Sequence, residues 1–250
     1  MTPQQLFSMN GKNALITGGG TGIGKAIAHA FSDAGARIAI VGRREAMLTE
    51  ALEEREGTAI VADLMADDAP QSIYAACEAA DIIPDVIVNA AGLNPRKHAD
   101  DVTPDVWQQT IHLNLSVPFF LSQIFVPHMK QKQWGRIINI ASLQSNRAFT
   151  NGIAYGASKG GISQLTRAMA EAWSKDGIMA NAIAPGFFPT ELTAAVFGDE
   201  EVSKHHASMT CIGRNGELSD LTGPALFLAS DACGFVTGQI VNVDGGYTAK

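Results

Sequence analysis

Cysteine is scarce in this chain. Three occur among 250 residues, at Cys77, Cys211 and Cys233. They are widely spaced and odd in number, so neither a disulfide framework nor a metal-ligand spacing is written here, and a reducing cytoplasm is the expected compartment. Basic residues are outnumbered, 18 Lys and Arg against 25 Asp and Glu, for a formal net charge of −7. That balance argues against nucleic acid as a partner, because phosphate backbones reward basic patches. Longer charge runs are absent; Glu53-Glu54-Arg55-Glu56 reads as a solvated helix face. No basic stretch followed by an apolar run opens the sequence, and no apolar run is long enough to cross a bilayer. Neither a signal peptide nor a membrane anchor is expected.

What is present is apolar and regular. Hydrophobic residues make up 46% and charged residues 17%, enough to bury a sizeable core. Length alone suits one large α/β domain or two small ones. Runs rich in Val, Ile and Ala recur at 14–16, 37–41, 58–62, 85–89, 136–141, 179–184 and 239–243. Longer amphipathic segments separate them. Continuous apolar strands are what a parallel sheet covered on both faces requires, and the alternation predicts right-handed βαβ units. The expectation is a single doubly wound, Rossmann-type domain over 1–250, with about seven parallel strands and helices on both faces. The least regular stretch, 187–215, follows Pro185-Gly186 at a strand end and reads as a mobile substrate lid.

The first run leads into Thr17-Gly18-Gly19-Gly20-Thr21-Gly22-Ile23-Gly24. Gly18, Gly22 and Gly24 form G-x-x-x-G-x-G, unlike the G-x-G-x-x-G of many dinucleotide enzymes. The physics is shared: glycines let backbone approach a pyrophosphate, and the following helix presents free N–H groups and a positive dipole end. At the end of the second strand, an acid would bind a ribose 2′-hydroxyl and favour NAD. The chain instead reads Val41-Gly42-Arg43-Arg44. Two guanidinium groups suit the 2′-phosphate of NADP, although the same arginines can begin a solvated helix, which leaves NAD open. Asp63 can accept from an adenine amino group or act as a helix cap before Asp67.

Further along, Tyr155 and Lys159 are four apart, hence on one helix face. An ammonium beside a phenol favours the phenolate. Ser142 offers a hydroxyl that can hold a substrate oxygen. Taken singly, Asn114 reads as a buried amide, Ser142 as a strand-end serine and Tyr155 as a packing aromatic. His205-His206 are adjacent and cannot share one helix face, so no metal site is assigned. Met169 and Trp173 read as helix packing.

Together these residues resemble the short-chain dehydrogenase/reductase family. Thr17 through Gly24 matches its cofactor motif, and Asn89-Ala90-Ala91-Gly92 its N-A-G element. Asn114, Ser142, Tyr155 and Lys159 match its catalytic tetrad. Pro185-Gly186 with Thr190 matches its nicotinamide segment, and Val243-Asp244-Gly245-Gly246 its last strand ending. The resemblance implies Tyr155 as general acid/base, Lys159 lowering its pKa and binding the nicotinamide ribose, and Ser142 polarising the substrate oxygen. Asn114 would support a water that relays protons to Lys159. The implied cofactor contacts are Gly18, Thr21, Gly22, Ile23, Gly24, Arg43, Arg44, Asp63, Leu64, Asn89, Ala90, Gly92, Tyr155, Lys159, Pro185, Gly186 and Thr190. It also implies a homotetramer joined through the helices around 103–132 and 150–175.

Gly92-Leu93-Asn94-Pro95-Arg96-Lys97 is similar to the gluconate 5-dehydrogenase subgroup, as are Ser142-Leu143-Gln144-Ser145 and residues 157–162. A carboxylate substrate would suit Arg96 or Arg147, and polyol hydroxyls would suit Asn94 and Gln144. The expected reaction interconverts a secondary alcohol and a ketone of a sugar acid or polyol. The same tetrad serves 3-oxoacyl-thioester reductases, and the fold alone would permit a non-catalytic NADP-binding regulator.

Overall fold

The computed structural model describes residues 1–52 and 55–250. Glu53 and Glu54 of the charged run lie outside the described residues; beside them, Arg55 bonds Asp33 at 3.1 Å. Among the described residues the strands are β1 (Asn13–Thr17), β2 (Arg37–Gly42), β3 (Gly57–Val61), β4 (Val86–Asn89), β5 (Gly135–Ile140), β6 (Ile178–Pro185) and β7 (Ile240–Val243). Each begins and ends within one residue of the corresponding apolar run. They form one sheet in the order β3-β2-β1-β4-β5-β6-β7, with every neighbouring pair parallel.

The α-helices are α1 (Pro3–Leu6), α2 (Gly22–Asp33), α3 (Glu45–Leu52), α4 (Ala69–Ala79), α5 (Pro104–Ile111), α6 (Val117–Lys132), α7 (Ile153–Trp173), α8 (Ala194–Phe197), α9 (Glu200–Met209) and α10 (Thr222–Ala229). A π-helical turn, His112–Ser116, joins α5 to α6. Such turns insert an extra residue into a helix and concentrate at functional sites.

The continuous apolar strands divide between two cores, because successive side chains point to opposite faces. Ile16, Ile38, Ile40, Val86, Val88, Ile138 and Ile140 join α2 and α10 on one side. Leu15, Ala39, Val41, Ile87 and Ile137 join α4, α6 and α7 on the other. Met169 is buried in that second core and Trp173 packs against it, stacked on Phe119 with centroids 6.3 Å apart. Strand order reverses between β1 and β4. In doubly wound sheets that switch point opens a crevice at the strands' carboxyl ends.

The 187–215 stretch carries more regular structure than the sequence reading expects. It contains a 3-10 turn at Glu191–Thr193, then α8 and α9. Asp199 caps α9 by accepting from Glu201 N and Val202 N. A polar composition masks that helix in the sequence; its acidic cap and first turn are the legible signal.

Candidate active site

β1 ends at Thr17, whose Oγ1 accepts from Ala90 N at 3.0 Å and Ala91 N at 3.1 Å. One hydroxyl thus ties the glycine turn to the turn after β4. Gly18 takes φ +65°, and a Cβ there would meet the Ala91 backbone at 3.1 Å. Gly24 brings α2 down onto the turn so closely that a Cβ would sit 2.3 Å from the Gly18 carbonyl. The first bond of α2 runs from Lys25 N to Thr21 O, and no side chain caps the helix. The N–H groups of Gly22, Ile23 and Gly24 are therefore left for an anion.

The turn forms one end of a cleft of about 850 Å³. Gly18, Thr21, Gly22, Ile23 and Gly24 line it, followed by Arg43 and Arg44 after β2, then Asp63 and Leu64 after β3. The middle is lined by Ala90, Gly92, Pro185, Gly186 and Thr190. Ser142, Tyr155 and Lys159 line the far end with Asn94, Arg96 and Gln144. Asp63 is not the cap of α4, whose N-cap is Asp68; its Oδ1 accepts from Met65 N at 3.0 Å. Arg44 donates through both Nη atoms to Glu191, at 3.0 and 2.8 Å, across the mouth of the cleft.

Three expected residues, Asn89, Arg147 and Asn114, do not line the cleft. Asn89 Nδ2 donates to Asn139 Oδ1 at 2.8 Å and to Ser122 Oγ at 3.3 Å, and Asn139 continues to Thr166 Oγ1 at 2.9 Å. It belongs to a buried polar chain linking β4 and β5 to α6 and α7, because a buried amide must find partners and these are the near ones. Arg147 does not line the cleft either. It donates to Tyr247 O at 3.1 Å and lies over the Tyr247 ring, 5.3 Å from its centroid. An aromatic face together with a carbonyl acceptor holds a guanidinium well.

The tetrad residues converge. Asn114 sits in the π-helical turn, 1% exposed. Its Oδ1 accepts from Leu93 N and its Nδ2 donates to Leu93 O, both at 2.9 Å; Nδ2 also donates to Ser158 Oγ at 3.0 Å. Ser142 follows β5 in extended conformation, and its Oγ accepts from Gln144 N at 3.1 Å. Tyr155 and Lys159 lie on the buried face of α7.

Burial raises the Tyr155 phenol above its ordinary value, while the Ser142 hydroxyl and the Arg96 charge oppose that rise. Burial pushes the Lys159 ammonium down to about 8. Lys159 Nζ donates to Ile140 O at 2.6 Å and stands 5.5 Å from the centroid of the Tyr155 ring. Two cations therefore act near Tyr155: Lys159, as helical spacing expects, and Arg96 from the cleft wall.

Arg96 takes φ +48° and donates to Leu192 O at 3.3 Å. Among the described residues, Gln144 Oε1 is buried without a partner. Phe149, Phe187, Phe188 and Leu192 supply an apolar wall that sequence reading misses, as it misses Glu191. His206 stacks on Phe187 with ring centroids 3.7 Å apart, and burial, His205 and Arg96 hold its imidazole below the usual value. Nothing in the aromatic spacing announces that wall. Glu191 directly follows Thr190 of the recognised segment, which is its one available signal.

The glycine cradle fits a dinucleotide. Added Cβ atoms would fill it at Gly18 and Gly24, its helix N-terminus is uncapped, and arginines stand at the end where an adenosine phosphate would lie. A family model described as enoyl-(acyl carrier protein) reductase matches residues 18–248. The chain belongs to the short-chain dehydrogenase/reductase family. It is similar to galactitol 2-dehydrogenase (L-tagatose-forming) of Cereibacter sphaeroides, 38% identical with 99% of each chain covered. It is also similar to gluconate 5-dehydrogenase of Gluconobacter oxydans, 36% identical with 100% of each covered. Among solved structures, a gluconate 5-dehydrogenase from Burkholderia cenocepacia in complex with NADP and tartrate superimposes with a TM-score of 0.94, at 36% identity over 100% of both chains. As a member of this family, the protein is a short-chain NAD(P)-dependent oxidoreductase acting on CH–OH groups.

Proposed function

We propose that this protein interconverts a secondary alcohol and a ketone on a sugar acid or polyol, in the manner of a gluconate 5-dehydrogenase, with NADP(H) preferred. The observation that carries the reading is Arg96. It is a guanidinium lining the same cleft as Ser142 and Tyr155, and its charge opposes the rise that burial imposes on the Tyr155 phenol, so a substrate carboxylate and a reacting oxygen would lie together there. The two full-length relatives act, by name, on gluconate and galactitol, which supports that substrate class.

In this reading the nicotinamide supplies or accepts the hydride when bound. The protein's own residues manage the proton. Ser142 holds the substrate oxygen, and the Tyr155 hydroxyl gives it a proton in reduction and takes one in oxidation. Lys159, held by the Ile140 carbonyl, binds the ribose beside Tyr155 and keeps positive charge near the phenol. The side chain of Asn114 bonds Leu93 twice and Ser158 once, so it holds the loop that carries Arg96 against α7, and its Oδ1 keeps one lone pair for a water that relays protons to Lys159. Arg43 and Arg44 receive the 2′-phosphate, and the 187–215 segment covers the substrate. We also infer a homotetramer, to be read by light scattering of the eluting protein.

A second reading has one observation in its favour. The apolar wall of Phe149, Phe187, Phe188 and Leu192 would suit an acyl chain, as in a 3-oxoacyl-thioester reductase. NADPH and NADH oxidation with 5-ketogluconate, and in parallel with an acetoacetyl thioester, separates the two. Fast NADPH-preferring turnover of the keto acid supports the first reading. Turnover of the thioester alone replaces it.

A further inference from the structure

Glu191 has no role in hydride or proton transfer, yet it holds the cleft's most strongly bonded arginine. Both of its carboxylate oxygens accept from Arg44, whose Nη2 reaches them at 3.0 and 2.8 Å and whose Nη1 reaches one at 3.0 Å. The two residues are 147 positions apart in sequence. Arg44 follows β2 and Glu191 begins the 3-10 turn of the 187–215 segment, so the pair spans the mouth of the cleft.

A carboxylate and a phosphate ask the same thing of a guanidinium, namely two parallel N–H donors and a positive charge. One fork cannot serve both in full. The side chains are 57% and 63% exposed, and ion pairs at such exposure are weak enough to be displaced. On the other side of the same turn, Arg96 holds the Leu192 carbonyl, so the turn keeps one tie when the other is given up.

We propose that Glu191 is a cofactor-specificity residue: its carboxylate occupies the Arg44 fork and competes with the 2′-phosphate of NADP, so that it narrows the preference for NADP over NAD. The inference rests on the NADP reading above. It acts through Arg44, which makes Glu191 a positioning residue rather than a catalytic one.

The test is binding without turnover. NADPH and NADH are titrated by their fluorescence, and 2′,5′-ADP and 5′-AMP by calorimetry, against the full-length wild type, Glu191→Gln, Arg44→Ala and the double variant. Glu191→Gln is expected to tighten NADPH and 2′,5′-ADP by about two- to fivefold, the range set by exposed ion pairs, and to leave NADH and 5′-AMP unchanged. In the Arg44→Ala background the same change is expected to do nothing. Equal shifts for ligands with and without the 2′-phosphate, or no shift at all, would overturn the competition while a selective loss of NADPH in Arg44→Ala left the NADP reading standing. A tightening that persists without Arg44 would mean simple repulsion from Glu191 and would also overturn it. If Arg44→Ala weakens NADPH and NADH alike, the NADP role of Arg44 falls and the proposal falls with it.

Discussion

Asn114 and Leu93 exchange a pair of hydrogen bonds, side-chain oxygen to backbone N–H and side-chain amide to backbone carbonyl, each 2.9 Å long. The amide thus acts as a third strand edge for a loop that has no strand of its own. Replacing Asn114 with Ala leaves both Leu93 groups without those partners. At about 1–3 kcal/mol for each orphaned group, the variant is expected to lose about 2–6 kcal/mol of stability in chemical denaturation. Activity on the keto acid should fall with it, since Arg96 lies three residues along that loop. Unchanged stability would mean that the loop is held from elsewhere.

Tyr155→Phe removes one hydroxyl from a buried ring. Turnover should drop by about 100-fold or more, the usual worth of a positioned acid/base. The dissociation constant for NADPH should hardly move. A variant that keeps its turnover would transfer the proton step to another group.

Lys159 gives a pH signature of defined sign. Its folded-state value of about 8 lies below the 10.5 of an unburied lysine. Between those two values the unfolded chain binds more protons than the folded one, so stability rises with pH across the window. Below pH 8 the destabilising cost of burying the charge is fully present; above about 10.5 it is gone. The change amounts to about 3 kcal/mol. Cys77, pushed up from 9.0 to about 12 by burial, contributes the opposite slope from about pH 9 upward, within the upper part of the same window. The reading is therefore the difference between wild type and Lys159→Met in denaturation at pH 8 and pH 10. Parallel curves for the two proteins would remove Lys159 as the source.

Arg96→Ala should raise the KM for 5-ketogluconate by about 10- to 100-fold, the worth of a charged hydrogen bond, with NADPH affinity little altered. Arg96→Lys should recover only part, because an ammonium lacks the paired fork. Removing the charge also lets the Tyr155 phenol rise further. In alcohol oxidation, where Tyr155 must accept a proton, the rising limb of the pH–rate profile should move to higher pH. A KM and a pH limb both equal to the wild type would place the substrate carboxylate on another group.

Much of this molecule is legible in its sequence, for reasons that differ by level. The seven strands are visible because a parallel sheet buried on both faces demands unbroken apolar runs, as at 136–141. Tyr155 and Lys159 are visible because helical spacing is arithmetic. The direction of a surface side chain is not. Arg147 and Arg96 flank the same region, yet one turns to Tyr247 and the other to Leu192, partners 100 and 96 positions away. Arg44 likewise finds Glu191 only once β2 and the segment after β6 have met. Asn89 reads as a ligand from its motif and lies instead among amides and hydroxyls on two helices and a neighbouring strand. Tertiary neighbours decide such cases, and no local pattern encodes them.

The division of each strand between two cores reaches beyond stability. Adding or deleting a single residue inside β1, β2, β4 or β5 would exchange the membership of both cores at once. The loops at the carboxyl ends carry no such parity. They can lengthen, shorten or change side chains while the layers beneath keep their alternation. Arg44, Arg96, Gln144, Phe187 and Glu191 all stand on that rim. The chemistry proposed for Ser142, Tyr155 and Lys159 could therefore be handed from one alcohol to another by editing a border, with the interior left untouched.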